Sequence, residues 1–314
     1  MQFTTQPLTT IMQQLQEALQ VSSEVSFEVL DPDFGEGHAG RPITIEGQTY
    51  HYRSFASWCD LAQHLACHIA TPQKLTSPLV RLTFKKRGGE SFHTNKYDNR
   101  SEKYGIASVF WQINKLEEPD FLYYYKQALY NVSIEKRERI LDLGVHKGDE
   151  LSLIRTILPP KTYENMHYVG IDHSQSAIAE AQQRFGSDTK SFIVADINQI
   201  DSLEIGRFDL LISIGTLQSP GINYKKLLMD LVQNHLYKED STLILGFPNC
   251  RWIDGQMCYG AKVPHYNMSE LGLLWSDVMF AKKYLQQHKY RVTITGKSYI
   301  FVTATKIGAT VKEN

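Results

Sequence analysis

Apolar residues along this chain follow two rhythms. Over the first part, helical and alternating spacings are interleaved in short pieces. Residues 8 to 20 set apolar and glutamine positions at helical spacing, while Val25 to Val29 and Ile43 to Tyr52 read as strands, the second with a turn signal at Glu46-Gly47. Phe55 to Ala70 puts Phe55, Trp58, Leu61, Ala62, Leu65 and Ile69 on one helical stripe that Pro72 stops, and Leu79 to Phe84 reads as another strand. Gly88-Gly89 and the polar run His93 to Lys103 then interrupt the pattern as a surface connection would. The spacing predicts a small α+β domain over residues 1–95 and a second domain over 96–314.

In the second part, helical segments at about 105–115 and 118–131 are followed by regular alternation. Strands are predicted at 139–143, 167–171, 191–195, 208–213 and 242–247, with helices at 148–158, 174–186 and 222–236 between them. Such alternation makes a parallel sheet covered by helices on both faces. After a helix at 269–288, the β-branched runs Arg291–Thr295 and Tyr299–Thr305 are joined only by Gly296-Lys297-Ser298, a link so short that the two must pair antiparallel.

The strand ends carry the chemistry. Arg139-Ile-Leu-Asp-Leu-Gly-Val-His-Lys-Gly148 closes a strand on Asp142 and two glycines, Val-Gly-Ile-Asp closes the next on Asp172, and Ala-Asp closes the third on Asp196. Gly144 and Gly148 let the chain turn sharply while its backbone approaches a ligand. The helix that begins near Gly148 offers free N–H groups to a carboxylate, and Asp142, with Asp149 or Glu150, suits an ammonium group. Asp172 is placed to accept both hydroxyls of a ribose and Asp196 an adenine amino group. The competing role for each aspartate is a helix cap, with Ser174 close after Asp172.

From about Tyr97 to Lys306 the chain resembles the class I S-adenosylmethionine-dependent methyltransferases. The resemblance implies an α/β, Rossmann-like methyltransferase fold, a sheet of seven strands with the last one antiparallel, set beside the small N-terminal α+β domain. It implies S-adenosylmethionine as cofactor, with Asp142, Gly144 and Gly148 around the methionine part, Asp172 at the ribose, Asp196 with Ile197 at the adenine, and Ser213 in the segment after the fourth strand. The family's commonest loop has a middle glycine where this chain has His146. Tyr97, Arg100 and Tyr104 lie in a segment that resembles a flap over the cofactor.

Acceptor-facing residues are expected in Ser213–Ser219 and in Pro248–Met268, the second read as a loop of about 20 residues without periodicity of its own. Arg251, Trp252 and Tyr259 are the candidate lid residues there. Should the acceptor need a base, His265 comes first, then Tyr266 and Asp254. The first segment lacks the Asn/Asp-Pro-Pro-aromatic pattern of enzymes that methylate amino groups of adenine or glutamine. Cys250 reads as a small apolar residue, because no Pro-Cys follows the fourth strand.

Composition narrows the setting. The 314 residues are 42% apolar and 11% aromatic with a net charge of -1, a balance unlike a surface built throughout for nucleic acid. No DNA or membrane partner is expected, and the acceptor is a small molecule, a peptide or RNA; RNA is suggested by the basic positions Arg81, Lys85, Lys86, Arg87, Lys96, Arg100 and Lys103. Four scattered cysteines and the lack of a signal-like start point to the cytoplasm. No metal is expected: His64, Cys67 and His68 lack a second ligand pair. Oligomeric state leaves no mark in the sequence. Two other functions stay open: a non-catalytic binding protein on the same fold, and an NAD-dependent oxidoreductase, for which the chain has no Gly-x-Gly-x-x-Gly.

Overall fold

The computed structural model describes residues 1–35, 37–88, 104–260 and 271–308. The chain divides into two compact units, Met1–Glu90 and Ser91–Asn314.

In the first unit, helix α1 (Leu8–Val21) buries Ile11, Leu15 and Leu19, a spacing of four that keeps one face on the core. Strand β1 (Glu24–Leu30) is followed by the hairpin β2 (Pro42–Ile45) and β3 (Gln48–His51), whose turn residues Glu46 and Gly47 both have positive φ. Helix α2 (Phe55–His64) starts on Ser54, whose side chain accepts from Ser57 N–H. The stripe expected to run on to Ala70 ends at His64. Ala66 takes positive φ, and Cys67–Ile69 becomes strand β4, paired antiparallel with β6 (Leu79–Lys86). Sheet pairing overrides the helical stripe here, and His64 and His68 do not share a helix. A two-residue strand β5 (Gln73–Lys74) also pairs with β6, and β1 completes the sheet. Its core holds Phe27, Trp58 and Phe84.

The second unit opens without the helix expected at 105–115. Two 3-10 turns stand there, Val109–Gln112 and Lys115–Glu117, because Ser108 Oγ accepts from Trp111 N–H and Asn114 Oδ1 from Leu116 N–H, bonds that compete with a continuous helix. Helix α3 (Pro119–Asn131) follows. Then come β7 (Arg139–Leu143), α4 (Asp149–Ile157), α5 (Pro160–Asn165), β8 (His167–Asp172), α6 (Gln175–Phe185), β9 (Lys190–Val194), β10 (Leu210–Ile214), α7 (Tyr224–Asp230) with a π turn to His235, and β11 (Thr242–Pro248). Short α5, which the sequence pattern does not show, is held at its C-terminal end by Lys190, whose Nζ donates to the carbonyls of Tyr163, Glu164 and Met166.

Past β11 the expected irregular loop contains a hairpin, β12 (Cys250–Ile253) and β13 (Gln256–Tyr259), turning on Asp254 and Gly255, both at positive φ. Helix α8 (Leu271–Gln287) and strands β14 (Tyr290–Gly296) and β15 (Tyr299–Lys306) end the fold. The sheet order is β14-β15-β11-β10-β7-β8-β9, with β7 to β11 parallel and β15 antiparallel to β11, which is the seven-stranded sheet anticipated. Alternate strand residues feed two cores. Leu141, Leu211 and Leu243 meet α7 and α8 on one face, and Ile140, Ile212 and Ile244 meet α3 and α4 on the other.

Candidate functional site

Strand order reverses between β7 and β10: the chain proceeds through β8 and β9 on one side and returns to β10 and β11 on the other. Loops leaving the two strands diverge at such a point and open a crevice at the carboxyl edge. Gly144 leaves β7 with φ 78°, and its N–H and that of Val145 donate to Ile171 O. A Cβ on Gly144 would collide with the Thr216 side chain from the β10 loop. Gly148, also at positive φ, is the N-cap of α4, and no side chain among the described residues caps that end.

Asp172 closes β8 nearly buried, at 6% exposure. Its Oδ2 accepts from His146 N–H at 3.0 Å and its Oδ1 from Ser174 N–H at 2.9 Å. Ser174, not Asp172, caps α6, accepting from Ala177 N–H. His146 has φ 49°, a conformation that costs a side-chain-bearing residue energy, and its ring reaches the segment that begins at Tyr104. Since a carbonyl only accepts, His146 Nε2 carries the proton it donates to Tyr104 O at 2.7 Å. The ring also meets Phe110 and Trp111 edge-on, and Tyr104 meets Phe110 and His173.

Residues 104–115 thus lie as a strap across the glycine turn. Lys147 Nζ donates to Trp111 O at 2.7 Å, and Lys115 Nζ binds Glu150 Oε1 at 2.8 Å. Burial holds the His146 imidazole below its ordinary value, and the Tyr104 phenol is pushed up by burial and then by the Asp172 charge.

Asp142 points into the interior, 1% exposed, where Tyr168 Oη donates to its Oδ2. Burial, and then the Glu150 charge, raise its carboxyl well above the usual carboxylate range; Tyr168 and Lys115 oppose this. Asp196 is exposed and caps the 3-10 turn Ile197–Leu203 through Asn198 N–H, while Ile197 is buried. Ser213 lies inside β10, its Oγ 3.4 Å from Leu143 O, so the open positions after that strand are Gly215 and Thr216.

Beyond β11, Cys250 sits by Tyr299 and Lys115, and burial pushes its thiol up to about 12, the range of an inert cysteine. Trp252 is buried and shares a side-chain hydrogen bond with Tyr299. Arg251 Nε and Gln218 Oε1 are buried without a hydrogen-bond partner among the described residues. Tyr259 is half exposed, and Asp254 is a turn residue. His265, Tyr266, Tyr97 and Arg100 lie outside the described residues. In the first unit, Arg81 and Lys85 of the basic run pair with Glu28 and Glu24, and Arg87 Nε donates to Cys67 O; Lys96, Arg100 and Lys103 lie outside the described residues.

Residues 134–289 match the family model described as a methyltransferase domain. The second unit belongs to the class I methyltransferase family. No curated protein matches the chain. Among solved structures, the chain is similar to the plantazolicin methyltransferase BpumL in complex with a monoazolic desmethylPZN analog and SAH, at 14% identity over 62% of this chain and 87% of the other, with a TM-score of 0.43. It is also similar to magnesium protoporphyrin IX methyltransferase (ChlM) from Synechocystis PCC 6803 with bound SAM, at 16% identity over 62% and 85% and a TM-score of 0.38. The methyltransferase domain of bacterial-CtHen1-CN is 16% identical over 58% and 97%, with a TM-score of 0.42.

Several residues that build this methyltransferase domain's crevice escape sequence reasoning. Tyr168 and Tyr299 look like ordinary strand positions, Thr216 lies in the expected Ser213–Ser219 segment with nothing to single it out, and Lys115 is one lysine before a helix. Only His146 leaves a trace, as a side chain where the family's turn commonly has glycine.

Proposed function

We propose that the chain is an S-adenosylmethionine-dependent methyltransferase whose cofactor lies between the β7 and β10 loops. The observation that carries this reading is Asp172, buried at the end of β8 and hydrogen-bonded to the glycine turn at the point where strand order reverses. S-adenosylmethionine supplies an electrophilic methyl group on a sulfonium. Asp172 receives the ribose hydroxyls, Asp196 and Ile197 border the adenine, and Gly144 and Gly148 admit the methionine part against the uncapped start of α4. Ser213, enclosed in β10, gives way to Gly215 and Thr216 as the neighbours of the methyl group. Residues 104–115 exclude water, and alignment carries most of the catalysis for an in-line displacement.

The acceptor is a small molecule, a peptide or RNA. It enters past β11, by Arg251 and Trp252 of β12, or by the β10 loop that carries Gln218; acceptor recognition is the role proposed for the first unit. Of the proposed bases, Asp254 serves the hairpin turn, which leaves His265 and Tyr266. An NAD-dependent reading accounts for neither Asp196 nor the antiparallel β15. Calorimetric titration with S-adenosylmethionine, S-adenosylhomocysteine and NAD tests the proposal. Binding of the two sulfur ligands and not NAD is expected; a folded protein that binds neither would leave a scaffold that lacks the cofactor.

A further inference from the structure

Two adjoining cavities of about 530 and 430 Å³ lie away from the crevice. They share Arg155, Arg184 and Phe185, and so form one hollow between the last turns of α4 and α6, with α5 and the loop into β9 at its far end. That loop leads into the start of a parallel strand, which sets the hollow toward the amino edge of the sheet, whereas Asp172 ends its strand at the carboxyl edge. The two ends of the hollow differ in charge. At the near end, Arg155 is exposed, with no carboxylate partner and no hydrogen bond among the described residues, and the Tyr163 phenol feels its charge. Arg184 uses Nη1 for Lys147 O at 2.7 Å and Asp149 Oδ1 at 3.2 Å, and its guanidinium stands 4.8 Å from the centre of the Phe185 ring; its Nε and Nη2 make no hydrogen bond among the described residues. A helix dipole favours one cation in each last turn. It does not account for two guanidiniums around the same hollow, where each disfavours the other. The far end carries Glu164 and Asp188, whose carboxylates only accept.

We propose that this hollow is a second binding site, for a small phosphate ester with a hydroxyl-bearing body, of the sugar phosphate class. Arg155 and Arg184 hold the phosphate, and Ser152 and Tyr163 donate their hydroxyls to it. Glu164 and Asp188 accept from the hydroxyls of the body. A guanidinium matches the geometry of phosphate oxygens, and the volume lies in the range of small-molecule sites. Burial pushes the Tyr163 phenol up, against the Arg155 charge, and so keeps it a donor. The site is independent of the cofactor reading above, since none of its residues is placed at the cofactor. Arg184 also braces the glycine turn through Lys147 O, which makes Arg155 the residue to replace.

Titration calorimetry of the full chain with ribose 5-phosphate, ribose and inorganic phosphate tests the assignment. Ribose 5-phosphate should bind, more tightly than inorganic phosphate, and ribose should not bind measurably. Arg155→Ala should weaken binding of the ester by roughly ten- to a hundredfold, the worth of one hydrogen bond to a charged group. Its melting temperature should stay close to that of the unaltered protein, because Arg155 is exposed and holds nothing else in place. Asp188→Asn should weaken binding of the ester more than that of inorganic phosphate. Failure of both phosphates to bind would overturn the proposal. Ester binding that Arg155→Ala leaves intact would place the ligand elsewhere, the crevice included, and overturn it as well. Equal affinity for the ester and for inorganic phosphate would leave no place for the body of the ligand and remove the class proposed.

Discussion

The main-chain N–H of His146 and the carboxylate of Asp172 are 3.0 Å apart, which makes the turn after β7 and the end of β8 one hydrogen-bonded piece. The carboxylate proposed to hold the ribose is thereby fixed before any ligand arrives. Replacing Asp172 by alanine leaves the N–H groups of His146 and Ser174 without acceptors, at a cost of about 1–3 kcal/mol for each that stays buried. Asp172→Ala should therefore lower the denaturant midpoint and also abolish S-adenosylhomocysteine binding. Retained binding in a destabilised protein would reduce Asp172 to a structural tie.

His146→Gly restores the family's usual residue and relieves roughly 1–2 kcal/mol of left-handed strain. It also removes the bond to Tyr104 O and the ring contacts with Phe110 and Trp111, each worth about 0.5–1.5 kcal/mol. The losses outweigh the gain, and they fall on the strap. Hydrogen exchange should speed up over residues 104–113 while β7 and β10 keep their protection; unchanged exchange in the strap would show that His146 does not hold it.

Gly144→Ala meets two obstacles, a positive φ and the Thr216 side chain. The first costs about 1–2 kcal/mol and the second about 1–3 kcal/mol of overpacking. Only the second depends on Thr216. In a double-mutant cycle with Thr216→Gly, the pair should be less destabilised than the sum of the singles. Strict additivity would mean that the two loops do not touch.

Asp142 gives a pH signature. Its carboxyl binds a proton more tightly in the folded chain, because burial and then Glu150 disfavour the charged form. Stability linked to it is thus fully present below its unfolded value, near 3.8, and is lost as pH rises toward the folded value. Asp142→Asn should raise the melting temperature at neutral pH and converge with the unaltered protein in acid. Parallel curves would assign the proton linkage elsewhere.

What the sequence made legible was local. The spans of β7, β8 and α6 follow from short apolar runs bounded by glycine, aspartate and serine, and the positions of Gly144, Gly148 and Asp172 follow from those spans. What escaped depends on distant pairing. The stripe from Phe55 to Ala70 is continuous in sequence, yet β6 recruits Cys67–Ile69 into a sheet. Lys115 and Glu150 stand 35 residues apart, and no periodicity links them. The β12–β13 hairpin escaped for another reason: its strands are four residues each, too short for alternation to stand out from a polar and aromatic loop.

The place of β15 bears on how the sheet is assembled. It lies between β11 and β14, so β11 is a bare edge until a hairpin from the last part of the chain docks against it. That edge, Thr-Leu-Ile-Leu-Gly-Phe-Pro, is apolar and uncharged, the kind of strand that invites pairing with another molecule. Folding intermediates that have closed β7 to β11 but not yet added the hairpin are therefore the aggregation-prone species of this protein. Its yield on refolding should fall with concentration in proportion to the time they persist.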